Sequence, residues 1–498
     1  MGTVRIFLLI TGLFCISLCT YAQNRNTSLN RANTNSSLPP LTPPDTSKKG
    51  ALITVGVKDT DINNTNVFFT LKQCIDYAML HQPALNRSLV NVNITKENNG
   101  VNLAAWLPQV NTTGSLIHYI QLPANGAITN AGAGLGTTGG TSTTGTTTGT
   151  TTGTATRAGN TFVPQLAVSQ AIFSPSLAYT ARTAPLYVKE AEQITDSTKI
   201  YLVSAVSKSF YNVLLTLEQI NVLKEDTARL GRNVRDTYHQ YIGGIVDETD
   251  YEEATITLNN SKAQLRQANE NVVPQFAVLK QLIGAPPEEK FNVSFDTLQM
   301  LQGIHIDTAE QLKYEKRVEF QQLNTQKSLQ NELVHYYNTA WLPTVSAFFN
   351  YNLSFQNNNF PSILSTSYPS SLVGLSFSIP IFTGFARTHN VKKARFQQDL
   401  LNWDAIDLKS QIYTQYTTAL ANYKSNLYNL QLLEKNVALA KRTYFVVDLQ
   451  YKQGIVAYLN VITAESNLIT SEISYLNALF QLLSSKIDLQ KAMGNITY

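Results

Sequence analysis

Two stretches in the second half of the chain alternate between apolar and polar residues with the period of two that is typical of β-strands. The first stretch departs from the alternation only at Phe348, and its two faces carry Val345, Ala347, Phe349, Tyr351, Leu353 and Phe355 against Thr344, Ser346, Asn350, Asn352 and Ser354. The second carries Val373, Leu375, Phe377, Ile379 and Ile381 against Gly374, Ser376, Ser378 and Pro380. A weaker alternation in the first half sets Phe162, Leu166, Val168 and Ile172 against Gln165, Ala167, Ser169 and Ala171. The pattern predicts a pair of strands in each half of the chain.

The predicted strands have about the 9 to 11 residues that a transmembrane strand requires, although a half-buried strand of a soluble sandwich gives the same alternation. Four strands cannot close a barrel, because the smallest transmembrane barrels have about eight. An open sheet in lipid would leave the backbone groups at its edges without hydrogen-bond partners. If these strands cross a membrane, several copies of the chain must therefore combine, and three copies of four strands would supply twelve.

Two other stretches have the composition of very long helices. Residues 385–453 contain no glycine or proline and would extend roughly 100 Å as one helix. From Leu186 to Ile242 only Gly231 interrupts a similar stretch. Both carry apolar residues at alternating spacings of three and four, which predicts coiled-coil contact with neighbouring helices. Turn glycines follow each stretch, at 243–244 and at 454, and a second helical stretch returns to Gly284 or Gly494. The chain should therefore form two helical hairpins.

The two halves of the chain share short motifs in the same order. Ala-Trp-Leu-Pro at 105–108 returns 235 residues later, whereas Ile-Phe at 172–173 returns 209 residues later. The difference predicts an insertion of about 26 residues in the first half, where a Thr/Gly tract at 132–156 fits a surface loop between two strands. We divide the chain into a signal peptide (1–22), a flexible leader (23–66), a first repeat (67–284), a linker (285–310) and a second repeat (311–498).

The N-terminus has the features of a secretory signal. Arg5 precedes an apolar run, and small residues precede a cleavage position after Ala22. A lipoprotein signal with lipidation at Cys19 is the alternative, but Leu18 is bulky where such signals require a small residue. After cleavage we find no apolar run that approaches the ~20 residues of a spanning helix, so a membrane would be crossed by strands. Cys74 is the one cysteine outside the signal, which excludes an intramolecular disulfide.

Composition and motifs argue against nucleic-acid binding and catalysis. The formal net charge is only +4, and charged residues make up 14% of the chain, which is too weak a bias for a nucleic-acid partner. No Gly-x-Ser-x-Gly motif or phosphate-binding loop occurs. The six histidines show no metal-ligand spacing: His81, His118, His239, His305, His335 and His389. We therefore predict no enzyme activity, no metal and no cofactor.

From about Phe69 onward the chain resembles the TolC-type outer-membrane factors of efflux pumps and type I secretion systems. The resemblance rests on four groups of residues: 71–78 with 82–85, the two Trp-Leu-Pro motifs, 168–173, and Tyr-x-x-Gly-Ile-Val at 241–246 and 451–456. It implies a homotrimer with a 12-stranded β-barrel in the outer membrane and a 12-helix α-barrel in the periplasm. It also implies two partners, a periplasmic adaptor (membrane fusion) protein and an inner-membrane pump.

The resemblance further implies that the tunnel closes at the hairpin tips, where the adaptor would also bind. The residues at these positions are Tyr241, Gly243, Gly244, Asp247 and Asp250 in the first tip, and Tyr451, Gly454 and Asn460 in the second. Asn460 and Val456 stand where some members have an acidic residue and an arginine, so an acidic ring from the second tip is not expected. Asp247 and Asp250 either set the charge of the closed end or simply favour the start of the returning helix through its dipole.

The helix–strand junctions at Trp106, Pro108, Trp341 and Pro343 are predicted to lie near the membrane surface. Proline stops the helix there, and tryptophan either anchors at the lipid headgroups or serves only in packing.

We therefore expect a mainly α protein with transmembrane β structure: duplicated long helical hairpins plus four β-strands per chain, trimerising into the two barrels. The expected function is an exit duct in the outer membrane of a Gram-negative bacterium, serving a tripartite efflux pump or a type I secretion system. The alternative is a periplasmic or surface coiled-coil adaptor or adhesin without pore activity. The cargo stays open among drugs, metal ions and secreted polypeptides.

Overall fold

A computed structural model of the protein describes residues 68–120, 159–289, 291–294 and 312–497. The predicted signal peptide, the predicted leader and the Thr/Gly tract lie outside these residues, and so does most of the predicted linker. The helices are α1 (Leu71–His81), α2 (Pro83–Leu103), α3 (Pro175–Ile242), α4 (Glu248–Ile283), α5 (Val318–Thr339), α6 (Ala386–Lys452) and α7 (Tyr458–Met493). The strands are β1 (Phe68–Phe69), β2 (Gln109–His118), β3 (Asn160–Phe173), β4 (Asn292–Val293), β5 (Thr344–Asn357) and β6 (Ser367–Ser378).

One order of elements occurs twice along the chain: a helix, two strands, a very long helix and a returning helix. The long helices α3 and α6 have 68 and 67 residues, and the returning helices α4 and α7 have 36 residues each. Each pair packs side by side as a hairpin. The two predicted hairpins are therefore present, while the exact bounds of the repeats stay a prediction.

The strands of both halves form a single antiparallel sheet in the order β2-β3-β5-β6. The central pairing of β3 with β5 joins the first half to the second. Register places Val110, Val168, Phe349 and Val373 in one row across all four strands, and Phe162 stacks on Phe355 with ring centroids 5.9 Å apart. Apart from Ile172, Ile379 and Ile381, the apolar residues predicted from the alternation therefore share one face of one sheet.

The sheet departs from the sequence prediction in two places. A bulge between Ala171 and Phe173 makes Phe173, rather than Ile172, the partner of Val345, because one extra residue reverses the alternation beyond it. Strand β6 ends at Ser378, so Ile379 and Ile381 lie beyond the sheet and do not continue its apolar face.

The one exception to the alternation, Phe348, has a structural role. It pairs with Gly374 across β5 and β6, and a Cβ added to that glycine would lie only 2.7 Å from the Phe348 ring. The ring therefore covers Gly374 on the otherwise polar face of the sheet. It supplies packing at a position where glycine, which has no side chain, weakens the strand.

Helix α3 is longer than the sequence predicted and occupies the centre of the helical part. It begins at Pro175 rather than near Leu186, because proline fits the first turn of a helix. It then continues through Pro185, an interior proline that is accommodated where α2 packs alongside. It contacts α1, α2, α4, α5 and α7. The fully buried core includes Val206 and Phe210 of α3 and Leu482 of α7.

Helix α3 also corrects the expectation that no stretch after the signal is apolar enough to span a membrane. Among the described residues it alone passes that test by length and composition, and 56% of the qualifying window is buried inside the protein. Its apolar character is thus accounted for by its five helical neighbours.

The predicted linker contains a short strand. Strand β4 pairs in parallel with β1, and Phe291 beside it packs edge-on against Phe69 at 5.2 Å and Phe276 at 5.9 Å. This pairing ties the start of the first repeat to the segment that follows it.

Gly284 is expected to be indispensable for stability. It ends α4 with φ +75°, and an added Cβ would lie 2.6 Å from the carbonyl oxygen of His81. Gly284→Ala should destabilise the protein by at least about 2 kcal/mol, because left-handed strain and a backbone clash add together. Gly231→Ala is the matched control, since nothing lies within 4 Å of its added Cβ in the interior of α3. Thermal unfolding should show a clear loss for the first variant and none for the second.

Candidate functional site

The two hairpin tips are built by the same turn. At the first tip the amide of Ile245 donates to the carbonyl of Gln240 at 2.9 Å, and Gly244, with φ +68°, donates to Tyr241 at 2.9 Å. At the second tip Ile455 donates to Gln450 and Gly454, with φ +70°, donates to Tyr451, at 2.9 and 2.8 Å. This pair of bonds is the Schellman motif, in which a left-handed residue after the helix satisfies its last carbonyls. Turn geometry thus explains the glycine that both tips share at this position.

Each tip presents an isoleucine of its turn to solvent. Ile245 is 76% exposed and Ile455 is 69% exposed, whereas Val246 and Val456 beside them are half-buried. These isoleucines give the two tips similar apolar contact points, and Ile242 at the first tip and Leu459 at the second are exposed beside them.

The tips differ in charge. Asp247 stands just before the first turn of α4, where its side chain makes no capping hydrogen bond, and Glu248 and Asp250 follow in that turn. The corresponding positions of the second tip are Ala457, Tyr458 and Asn460, and its first turn carries no acidic residue. The first tip is therefore acidic and the second is not. Sequence reasoning had not included Glu248 in the acidic set.

One tyrosine joins the two tips. The hydroxyl of Tyr451 donates to Oε1 of Gln240 at 2.6 Å and so links α6 of the second hairpin to α3 of the first. Tyr241 remains within its own hairpin, where it stacks on Tyr251 with ring centroids 6.4 Å apart. The structure thus brings Tyr451 to the opposite hairpin, while Asp247, Asp250 and Tyr241 lie on the first.

A buried charged cluster behind the tips was not found from the sequence. Arg229 donates from Nε to Oε1 of Glu465 at 2.7 Å and from Nη2 to Oδ1 of Asp226 at 2.8 Å. Ser261 donates to the other oxygen of Asp226 at 2.7 Å, and Asn233 donates to the other oxygen of Glu465 at 3.2 Å. Both carboxylates are only 1% exposed. We name these five residues the buried charge cluster.

The burial of this cluster changes its acid–base chemistry. Burial raises the pKa of Glu465 from 4.5 to about 7, although the hydrogen bond and charge of Arg229 act against the shift. Burial also raises the pKa of Asp226, against the hydrogen bond from Ser261 and the charge of Arg229. A signal in the sequence could have revealed the cluster: Asp226 follows Ile220 and Leu223, and Glu465 lies between Val461 and Leu468, so each carboxylate occupies an apolar helix position.

At the opposite end of the helices the two Trp-Leu-Pro motifs connect helix to strand. A single 3₁₀ turn carries Trp106, whose indole N–H donates to the carbonyl of Ile172 in β3 at 3.4 Å. Trp341 is 53% exposed in the turn between α5 and β5. Pro108 and Pro343 each directly precede a strand. The first tryptophan is therefore bonded within the fold, and the second is free to contact the surroundings.

In the described ranges no three His, Cys, Asp or Glu side chains are grouped so that they could hold a metal ion. The buried charge cluster contains only two carboxylates, and a guanidinium already lies between them. The cluster can bind a proton, and its hydrogen bonds connect neighbouring helices.

Comparison with known proteins identifies the family. The chain is 18% identical over 333 residues to the outer membrane protein TolC of Vibrio cholerae, covering 66% of this chain and 76% of that protein. It is 20% identical over 361 residues to the outer membrane protein TolC of Escherichia coli, covering 68% of this chain and 70% of that protein. The crystal structure of the CmeC outer membrane channel of Campylobacter jejuni superposes with a TM-score of 0.66 at 18% identity, covering 94% of each chain.

Residues 74–285 and 314–495 match the family described as outer membrane efflux protein, and they include both hairpins and the whole four-stranded sheet. Members of this family are channels rather than enzymes, which supports a protein without catalytic activity. The match covers most of the chain, and the protein therefore belongs to the outer membrane efflux protein family, whose members lie in the Gram-negative outer membrane and extend into the periplasm.

Proposed function

We propose that three copies of this protein form the exit duct of a tripartite efflux pump or a type I secretion system. In this proposal substrates pass passively through a periplasmic tunnel and a barrel in the outer membrane. The observation that carries it is a four-stranded sheet with outer strands β2 and β6 unpaired within the described residues, continuous with helices of 67 and 68 residues.

The sheet supports the joining of three copies. Its apolar row faces one side, so that side suits lipid, whereas the polar side suits a water-filled lumen. Backbone groups on β2 and β6 would lack hydrogen-bond partners in lipid unless the edges meet edges of other copies. Three sheets joined edge to edge give a closed barrel of 12 strands. The four hairpin helices of each copy, α3, α4, α6 and α7, give a tunnel of 12 helices.

The helices support a conduit through the periplasm. A helix of 68 residues extends roughly 100 Å, so the tips would lie far from the outer membrane and near the inner-membrane machinery. At the membrane end, Trp341 would lie at the headgroup level beside Pro343, with Trp106 and Pro108 at the matching junction. At the other end, the exposed Ile245 and Ile455 would contact the adaptor through turns fixed by Gly244 and Gly454.

The tip residues are proposed to hold the tunnel closed. Tyr451 already bonds one hairpin to the other through Gln240, and threefold symmetry would repeat this bond around the opening. Asp247 and Asp250 would give the closed end a ring of negative charge, whereas Asn460 would leave the second tip neutral. On the dipole alternative Asp247 would act through its charge alone, because its side chain makes no capping hydrogen bond.

Conductance in planar lipid bilayers tests the proposed function. The purified full-length protein should form discrete pores, and in cells it should stay with the outer membrane after salt and carbonate washing. A soluble periplasmic pool that forms no pore would support the adaptor or adhesin alternative. Cross-linking at Tyr241 or Tyr451, followed by identification of the captured adaptor, would distinguish a pump from a secretion system.

Ion selectivity provides a separate prediction for the first tip. Asp247→Ala combined with Asp250→Ala should reduce the preference of the pore for cations, because six carboxylates would be lost from a closed ring of three copies. Reversal potentials in a salt gradient measure this preference. Glu270→Ala is the control, since Glu270 lies well away from the tip and pairs with Arg266 on its own helix. Unchanged selectivity in the double variant would remove the charge ring from the proposal.

A further inference from the structure

The buried charge cluster lies where the two hairpins meet. Asp226, Arg229 and Asn233 belong to α3, Ser261 belongs to α4, and Glu465 belongs to α7. From the remaining helix, α6, the ring of Tyr444 lies 5.1 Å from the guanidinium carbon of Arg229. All four helices of the tip half therefore contribute to this one site, and the bond from Arg229 to Glu465 connects the hairpins directly.

The site lies close to the tips along the helices. Arg229 precedes the turn at Gly243 by 14 residues, which is roughly 21 Å of helix. Between the two, Ala254, Tyr458 and Val461 form a small buried apolar cluster that also joins the hairpins. A movement that separates the hairpins as far as this level must therefore strain or break the contacts of the buried charge cluster.

The charges of the site do not balance when both carboxyls are ionised. One guanidinium then faces two carboxylates, which leaves a net charge of −1 in a buried position. Two cations of α6 near this level are engaged elsewhere, because Lys441 pairs with Glu472 at 3.0 Å and Lys452 pairs with Asp448 at 2.8 Å, and a third, Arg442, is exposed. The other titratable groups that act on the site, Tyr444, Tyr458 and Glu472, add no positive charge. One proton on a carboxyl makes the site neutral.

We propose that the buried charge cluster is a proton-operated latch: a proton held at Glu465 keeps the two hairpins together, and its loss loosens them and favours opening at the tips. With the proton in place, Arg229 and Asp226 form a neutral pair, and the carbonyl oxygen of Glu465 still accepts from Arg229. Without it, the excess negative charge is stabilised by reaching water, which requires the hairpins to separate. The prediction for conductance rests on the proposed function, whereas the prediction for stability does not.

The direction of the pH dependence follows from the proton count. Burial raises the pKa of Glu465 to about 7 in the closed arrangement, and a solvated glutamate has a value of 4.5. Between these values the closed form holds more protons than the loosened form, so closure is favoured at low pH and loses stability as the pH rises. From about pH 6 to about pH 8 the opening equilibrium should shift roughly tenfold towards the open form.

Conductance of the full-length protein at these two pH values, combined with thermal unfolding, tests the latch. The wild type should open about tenfold more often at the higher pH. Glu465→Gln keeps the hydrogen-bonding shape but cannot ionise, so it should open rarely at both values and gain melting temperature relative to the wild type mainly at the higher pH. Glu270→Gln, a substitution at an exposed position of the other returning helix, should behave as the wild type.

The outcomes separate the latch from the proposed function. If the wild type conducts but Glu465→Gln shows the same pH response, or if neither responds to pH, the latch is wrong and the channel stands. If no variant conducts, the channel proposal fails, and the melting temperatures still decide the latch: an equal difference between wild type and Glu465→Gln at both pH values would overturn it.

Discussion

Phe349→Arg is expected to abolish assembly of the protein in the outer membrane. Phe349 lies in the middle of the apolar row that also contains Val168 and Val373, on the face that we assign to lipid. A cationic side chain near the bilayer midplane costs about 2–4 kcal/mol in a transmembrane barrel. In a threefold assembly that cost applies to every copy, and the apolar burial of the phenylalanine is lost as well.

The neighbouring residue provides a matched control for this variant. Asn350 lies on the opposite, polar face of the same strand, so Asn350→Arg should be tolerated and should alter only conductance. The amount of protein that stays with the outer membrane after carbonate washing measures the outcome. Equal recovery of the two variants would show that the apolar row does not face lipid.

Arg229→Met is expected to produce the largest loss of stability in the helical part. The substitution preserves much of the side-chain volume but leaves two carboxylates, each 1% exposed, without their guanidinium. Removing one partner of a buried ion pair typically costs about 3–5 kcal/mol. The loss should be greater at about pH 8 than at about pH 6, because protonation of Glu465 relieves part of the uncompensated charge at the lower value.

An exposed arginine on the same hairpin provides the comparison. Arg266 pairs with Glu270 one turn away on α4, and its side chain is 79% exposed. Arg266→Met should change stability by no more than about 0.5 kcal/mol, since exposed ion pairs contribute little. Thermal unfolding followed by far-ultraviolet circular dichroism at the two pH values gives both measurements. Similar melting temperatures for the two variants would contradict the structural role assigned to Arg229.

The architecture was predictable because its signals are local and repeated. The absence of glycine and proline from residues 385–453 predicts α6 almost to the residue, and Gly284 and Gly494 mark the ends of both returning helices. The alternation around Phe349 predicts β5 because the strand period is two. Where prediction failed, a tertiary contact was responsible: α3 continues through Pro185 alongside α2, and the bulge at Ile172 is fixed only by pairing with β5.

The candidate site was predictable only in part. The turns at Gly244 and Gly454 follow from sequence, since left-handed residues after a helix favour glycine. The bond from Tyr451 to Gln240 joins residues 211 positions apart, so no local pattern contains it. The same holds for Arg229 and Glu465, which are 236 positions apart. The carboxylates of Asp226 and Glu465 occupy apolar helix positions in the sequence, but only the packing of the helices shows that they share the guanidinium of Arg229.

The mass of the detergent-extracted particle tests most directly whether sheets from separate copies close into one barrel. Native mass spectrometry of the purified full-length protein should give a particle of three chains, because β2 and β6 need partners in lipid. A particle of one chain, stable in detergent and carrying the complete four-stranded sheet, would contradict the account.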